Sequence, residues 1–135
     1  LKNPRFRIFF DHADEALFRA LSDRIKAVRH HFTPCLGLSQ FTAIVEWVDE
    51  TIAEYISTED DYVNIHSVVN LSKLADENPI QFGQAYYSTD TFPLAMNRDR
   101  VVTAYGEILI ERTGQPIRVK TSGYWKTPFG NILFL

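Results

Sequence analysis

The segment from His31 to Gln40 combines residue types that suit contact with a charged ligand. Pro34 fixes one backbone φ angle, and Gly37 lets the backbone approach another molecule closely. Cationic side chains precede the segment at Arg29 and His30. A loop that only joins a helix to a strand needs little more than a residue that ends the helix. We therefore expect this segment to contact the phosphate groups of a polyanion.

The predicted polyanion site extends to the start of the chain. Arg5 and Arg7 are two residues apart in a predicted strand, so their side chains share one face. Backbone amides and arginines at such a junction suit phosphate oxygens. Ordinary exposed charge is the alternative explanation. The predicted contact residues are Arg5, Arg7, Arg29, His30, Thr33, Pro34, Cys35, Gly37, Ser39 and Gln40.

Other chemistries fit these residues less well. His30 and His31 are adjacent, so on a helix their side chains diverge by about 100° and do not share an ion comfortably. Metal-ligand spacings of Cys or His are absent elsewhere in the sequence, and we expect no metal or other cofactor. A nucleophilic Cys35 would need a fixed base and an oxyanion site. His66 lies in a predicted strand, where a hydrogen-bonded structural histidine is the simpler interpretation, so no catalytic residue is assigned.

A predicted strand, helix and strand position the site. Residues 6–10 alternate in polarity as a half-buried strand does, and Asp11 is the predicted helix cap. Apolar residues then recur at spacings of three and four, which predicts a helix of about 18 residues that Pro34 ends. Arg29, His30 and His31 fall in its last predicted turn. Residues 41–48 form the second predicted strand, which completes a βαβ unit of the kind found in half of a ferredoxin-like fold.

The remainder of the chain is predicted to be β-rich, so the fold class is α+β. We predict two regions, residues 1–48 as the half ferredoxin-like unit and residues 49–135 as a β-rich region packed on it. Residues 49–55 fit a short helix or a strand equally well. The predicted strands are Tyr62–Leu71, Ile80–Tyr87, Arg100–Glu111, Ile117–Thr121 and Asn131–Leu135. Core packing explains most of the aromatic residues, with base stacking as the alternative for Tyr86, Tyr87, Tyr105, Tyr124 and Trp125.

Composition limits the class of protein. The 135 residues are 45% hydrophobic and 23% charged, as in an ordinary globular domain. The longest apolar runs fall short of the roughly 18 residues of a membrane span, and the single cysteine favours a reducing, cytoplasmic compartment. The chain begins without methionine and enters an apolar pattern at once, so we expect a longer natural protein.

Charge is distributed unevenly along the sequence. Residues 1–31 carry seven Lys or Arg and four Asp or Glu, whereas residues 32–111 carry three and thirteen. Residues 112–135 carry four basic side chains and no acidic one. Basic ends around an acidic middle favour a polyanion on one surface and a protein partner on another, although chance clustering gives the same pattern.

The order of these features resembles the CRISPR-associated Cas-five family. The resemblance is carried by the alternating segment Phe6–Phe10, the helix with a basic end, and the sequence Phe32-Thr33-Pro34-Cys35-Leu36-Gly37. The segment Ser39-Gln40-Phe41-Thr42-Ala43, with Gly123-Tyr124-Trp125 and the final Asn131–Leu135, is similar to the type I-B branch. The likeness is most specific over residues 1–48 and looser over the C-terminal strands.

The resemblance implies a non-catalytic subunit of the Cascade surveillance complex, which acts in antiviral defence. Family members hold the 5′ handle of the CRISPR RNA and touch the large subunit and a backbone subunit. They have a RAMP-type (RRM-like) ferredoxin domain and a variable β region. This chain would correspond to the C-terminal portion. The alternatives are a metal-independent endoribonuclease that processes precursor CRISPR RNA, and a pure protein-interaction module.

The sequence departs from the family pattern at two points. Cys35 stands where the family usually has a second aromatic residue, and Leu38 and Ser39 stand where some relatives have arginines. The loop would then contact RNA through its backbone, Ser39 and Gln40. One branch of the family cuts precursor RNA, and its catalytic residues lie in the N-terminal half of the protein. This chain would correspond to the C-terminal portion, so the resemblance gives it no basis for cleavage.

Overall fold

The computed structural model describes residues 5–35, 42–59, 61–74 and 79–135. The chain divides into two compact units, residues 1–50 and residues 51–135. The described residues form one α-helix and nine strands, and all the strand pairs are antiparallel. The predicted α+β class is therefore confirmed. Within these ranges, no helix has the length and apolarity needed to cross a membrane.

The helix of the first unit, α1, spans Glu15–Lys26 and is shorter than predicted. Asp14 is its N-cap. The Oδ1 atom of Asp14 accepts hydrogen bonds from the backbone N–H groups of Ala16 and Leu17, at 3.0 and 3.1 Å. These two groups have no partner inside the helix, so the carboxylate satisfies them. The prediction that Asp11 caps the helix is wrong, because the first helical turn begins three residues later.

The C-terminus of α1 closes in a Schellman motif. The N–H of Val28 donates to the carbonyl of Ile25 at 2.9 Å, and the N–H of Arg29 donates to the carbonyl of Arg24 at 2.8 Å. Val28 takes the left-handed conformation that this motif requires, with φ 53°. Residues 29–31 therefore follow the helix, and their predicted place in its last turn is corrected.

The strands predicted on either side of α1 are not formed in the described residues. Residues 5–10 have no strand assignment, and Phe6 and Ile8 are 69% and 84% exposed. Residues 42–48 contribute one isolated antiparallel bridge, between Cys35 and Thr42. Alternating polarity suits a strand, but a strand also needs a neighbouring strand, and the described residues assign no strand to residues 5–10 or 43–48. The ferredoxin-like unit stays a prediction.

Aromatic side chains join α1 to the segments around it. The ring centroid of Phe10 lies 5.2 Å from that of Phe18 and 6.3 Å from that of Trp47. The Nζ atom of Lys26 lies 4.5 Å from the Trp47 ring centroid and 3.2 Å from Glu50 Oε2. These contacts lie at the surface, and no apolar side chain among the described residues of this unit is buried.

The second unit consists of three small antiparallel sheets. Their strand orders are β1-β8-β9, β2-β7-β4 and β3-β6-β5. A single turn of 3₁₀-helix at Leu71–Lys73 follows β3. The strands are β1 (Glu54–Ser57), β2 (Tyr62–Ile65), β3 (Val69–Asn70), β4 (Ile80–Gln81), β5 (Tyr87–Met96), β6 (Val102–Glu111), β7 (Ile117–Lys120), β8 (Gly123–Thr127) and β9 (Gly130–Ile132).

One hydrophobic cluster joins two of the three sheets. Its buried members come from β2, β3, β6 and β7, and each is at most 2% exposed. The third sheet is joined to the segment that follows β2, because the His66 N–H donates a hydrogen bond to the Asn131 carbonyl of β9 at 2.7 Å. The buried cluster is Ile65, Val69, Leu109, Ile117 and Val119.

Three strand predictions need correction in the second unit. The predicted strand over residues 131–135 corresponds to β9, which ends at Ile132. The predicted strand over residues 62–71 is interrupted at residues 66–68, where the chain leaves one sheet for another. The predicted strand over residues 80–87 is divided as well, and Tyr87 begins a ten-residue strand that the sequence did not indicate. This strand contains Pro93, and it lies at the edge of its sheet, where proline is tolerated in a strand.

Candidate nucleic-acid interface

One face of the β2-β7-β4 sheet carries two cationic side chains, a tyrosine ring and two amides. The register pairs Tyr62 with Lys120 and Asn64 with Arg118, and Gln81 of β4 pairs with Arg118 from the other side. Paired residues in a sheet point to the same side, so these five side chains share a face. We call this set, Tyr62, Asn64, Gln81, Arg118 and Lys120, the outer face.

The sequence of β7 explains why these side chains point away from the core. Ile117 and Val119 are buried, whereas Arg118 is exposed and Lys120 is partly exposed. A strand has a period of two, so burial of the two aliphatic residues places both cations on the opposite side. The hydrophobic cluster thus fixes the orientation of the outer face.

Both cations lie over the ring of Tyr62. Lys120 Nζ is 5.3 Å from the Tyr62 ring centroid, and Arg118 Cζ is 5.8 Å from it. Both distances are within the range of a cation–π interaction, which orients the long side chains over the sheet. The strands β2, β4 and β7 contain no acidic residue, although Glu59 and Asp61 precede the Tyr62 end.

An arrangement of this kind suits single-stranded nucleic acid. Exposed rings on a sheet stack with bases, and neighbouring cations contact the phosphate backbone. The amides of Asn64 and Gln81 offer hydrogen-bond donors and acceptors to base edges. The outer face therefore places a partly exposed ring, two cations and two amides on one surface.

The described residues of the site predicted from the sequence lie in the first unit and are mostly exposed. Arg5, Arg7, Arg29 and His30 are exposed, as are Thr33 and Cys35, while Pro34 is partly exposed. Arg29 and His30 directly follow the end of α1. Gly37, Ser39 and Gln40 lie outside the described residues, as do the other positions of residues 36–41.

A local pairing holds the two sides of the predicted loop together. Cys35 forms its bridge with Thr42, and the Ala43 N–H donates to the Pro34 carbonyl at 2.9 Å. Residues 33–35 and 42–43 thus run beside one another, which brings the ends of the Pro/Gly segment close together. This pairing is the structural feature of the segment that the described residues support.

Within the described ranges, the structure does not bring the residues considered for metal binding or catalysis together into a metal-binding or catalytic group. Across the described ranges, no group of three or more His, Cys, Asp or Glu side chains is placed to hold a metal ion. Cys35 is an exposed free thiol. His66 is exposed, and its ring lies so close to Gly130 that a Cβ there would stand 2.6 Å from its Cγ atom. The position of His66 is thus explained by packing at the β8–β9 turn.

Sequence reasoning missed the outer face as a site. The sequence analysis counts Arg118 and Lys120 only among the basic residues of the C-terminal segment, and it assigns Tyr62 only to a predicted strand. The signal was present in the order Ile117-Arg118-Val119-Lys120, where aliphatic and cationic residues alternate. Its pairing with Tyr62, more than fifty positions away, was not visible in the sequence.

Comparison with known proteins gives no further assignment. No protein-family model matches the chain, and no curated protein or solved structure matches it either.

Proposed function

We propose that the protein is a non-catalytic RNA-binding and assembly subunit of a type I Cascade interference complex, and that it binds the 5′ handle of CRISPR RNA in the cytoplasm. The observation that carries RNA binding is the partly exposed Tyr62 ring with Arg118 and Lys120 over it on one face of a sheet. The choice of CRISPR RNA rests on the sequence resemblance. The cations of residues 5–30 are a second contact region in this proposal.

The experiment measures binding of single-stranded RNA by fluorescence anisotropy at several salt concentrations. The double variant Arg118→Gln/Lys120→Gln is expected to weaken binding about tenfold or more at low salt, because two phosphate contacts are lost. The slope of log affinity against log salt should fall by about 1.4, since each phosphate contact on a single strand contributes roughly 0.7. Repeat-derived RNA is the probe.

The matched control is Arg98→Gln/Arg100→Gln. These two cations are exposed in the β5–β6 turn, and the control changes net charge by the same amount. Equal losses in both double variants, or no loss in either, would contradict a specific role for the outer face. A parallel variant, Arg5→Gln/Arg29→Gln, tests the residues predicted from the sequence.

The β5–β6 hairpin favours a second candidate, a protein-interaction module. Phe92 and Met96 of β5 are 40% and 55% exposed, and Tyr105 of β6 is 65% exposed. Apolar side chains on a long hairpin suit a protein partner such as a neighbouring backbone or large subunit. Co-purification with protein partners and without RNA would favour this candidate over the first.

A further inference from the structure

A cleft of about 410 Å³ opens in the second unit. It lies between β1, β8, the turn after β3 and the end of the chain. Its volume falls in the range of roughly 300–1,000 Å³ that is typical of small-molecule sites. The lining residues that matter here are Tyr55, Lys73, Ser122, Gly123, Trp125 and Phe134.

Three aromatic rings form one wall of the cleft. The centroid of Trp125 lies 5.2 Å from that of Tyr55 and 6.1 Å from that of Phe134. Both pairs meet edge to face, with interplanar angles of 62° and 75°. Because Tyr55 is 54% exposed and Trp125 is partly exposed, ring surface remains open to solvent. Such a wall offers a stacking surface to a planar ligand.

Gly123 makes room for this wall. Gly123 pairs with Ser57, and a Cβ on Gly123 would overlap the hydroxyl and ring of Tyr55. The Ile56 carbonyl lies 3.0 Å from the same point, so the backbone also limits any shift. The glycine therefore permits the Tyr55 ring to lie across β8.

A cation stands at the edge of the same cleft. Lys73 Nζ donates a hydrogen bond to the Phe134 carbonyl at 2.7 Å. An ammonium group has three donors, so one such bond leaves two for an anion. The described lining residues include no acidic side chain. Lys73 and the exposed Ser122 thus supply a positive and polar end beside the aromatic wall.

We propose that this cleft binds one nucleotide, with the base stacked on the Trp125 wall and the phosphate at Lys73. The source is either a free nucleoside 5′-monophosphate or an unpaired nucleotide of an RNA strand. Only the second case rests on the proposed RNA-binding function. Thr121 and Ser122, which line the cleft, directly follow Lys120 of the outer face in the sequence.

The test follows Trp125 fluorescence in a Trp47→Phe background, which leaves one tryptophan. AMP is expected to quench this signal in a saturable way, adenosine more weakly, and ribose 5-phosphate not at all. Lys73→Gln should weaken AMP binding about fivefold or more, because the charge-assisted contact to phosphate is lost. Lys73→Arg should retain binding.

Lys126→Gln is the matched control. Lys126 is exposed and follows Trp125 in β8, so its side chain points to the opposite side of the strand. It should change AMP binding by less than about twofold, since long-range attraction between exposed charges is screened. Circular dichroism of each variant checks that the fold is kept.

A second arm uses a 5′-phosphorylated single-stranded RNA. Quenching by AMP supports a free nucleotide, and Lys73-dependent quenching by RNA alone supports a nucleotide within a strand.

If neither ligand quenches Trp125, or if Lys73→Gln and Lys126→Gln behave alike, the cleft proposal is overturned. RNA binding that depends on Arg118 and Lys120 would still stand. Conversely, AMP binding together with unchanged RNA binding in Arg118→Gln/Lys120→Gln would support the cleft proposal and overturn the RNA interface.

Discussion

At the scale of single residues, Glu111 holds the turn between β6 and β7. Its Oε1 atom accepts hydrogen bonds from the Thr113 N–H and hydroxyl at 2.8 and 2.5 Å, and its Oε2 atom accepts from the Gln115 N–H at 2.6 Å. Partial burial raises the pKa of this carboxyl, but the hydrogen bonds from Thr113, Gln115 and Gly114 outweigh it. The net result is a pKa below the ordinary value.

The lowered pKa of Glu111 predicts an acid-dependent loss of stability. Its contribution is fully present above the unfolded-state pKa and is lost as pH falls through the lower folded-state pKa. Glu111→Gln should lower the free energy of unfolding by about 1 kcal/mol at neutral pH, with the deficit shrinking on acidification. Chemical denaturation at neutral and acidic pH measures this. Glu107→Gln, at an exposed position of the same strand, is the control, and an equal deficit at every pH would contradict the role of Glu111.

At the scale of elements, α1 ends at a residue that suits its conformation poorly. Val28 has φ 53°, which is unfavourable for a β-branched side chain. The Schellman hydrogen bonds of Val28 and Arg29 hold it there. Val28 is 69% exposed, so little packing compensates for the strain.

Val28→Gly is therefore expected to stabilise α1. The gain should be between about 0.5 and 1 kcal/mol, because glycine adopts the left-handed conformation without steric cost. Hydrogen exchange of the α1 amides measures it directly. Ala27→Gly is the control, since Ala27 has φ −83° and gains nothing from glycine. Equal or greater protection in the control would show that Val28 is not strained.

At the scale of the whole molecule, the buried apolar side chains of the described residues all belong to the second unit. The hydrophobic cluster draws on strands that are distant in sequence, from Ile65 to Val119. In the first unit, Ser22 is the one buried side chain among the described residues. We therefore expect the slowest amide exchange in the second unit.

Ile65→Ala tests this distribution of stability. Ile65 is 0% exposed, and its truncation should cost about 2–5 kcal/mol in the free energy of unfolding. Ile52→Ala, at a position that is 93% exposed in the same unit, should change it by less than about 0.5 kcal/mol. Denaturant titration gives both values. A loss of similar size in both variants would show that burial does not determine the cost.

The period of the apolar residues predicted one strand and one helix, and of these two only the strand contributes to the buried core. Alternation over Ile117–Val119 predicted β7, and the three-and-four spacing predicted α1. The same alternation failed at residues 6–10, because no neighbouring strand lies beside them in the described structure. Asp14 rather than Asp11 became the cap, since either residue type caps equally well and the helix start depends on backbone geometry.

The amino-acid sequence by itself determined the α+β class, the existence of α1 and the placement of Arg118 and Lys120 on one face of their strand. Each follows from a local period, and a period needs only neighbouring residues. Only the tertiary structure brought the Tyr62 ring within reach of both cations and set Trp125, Tyr55 and Lys73 around one cleft. Those contacts join residues that are 18 to 70 positions apart, and strand register fixes them through hydrogen bonds and burial that no local pattern specifies.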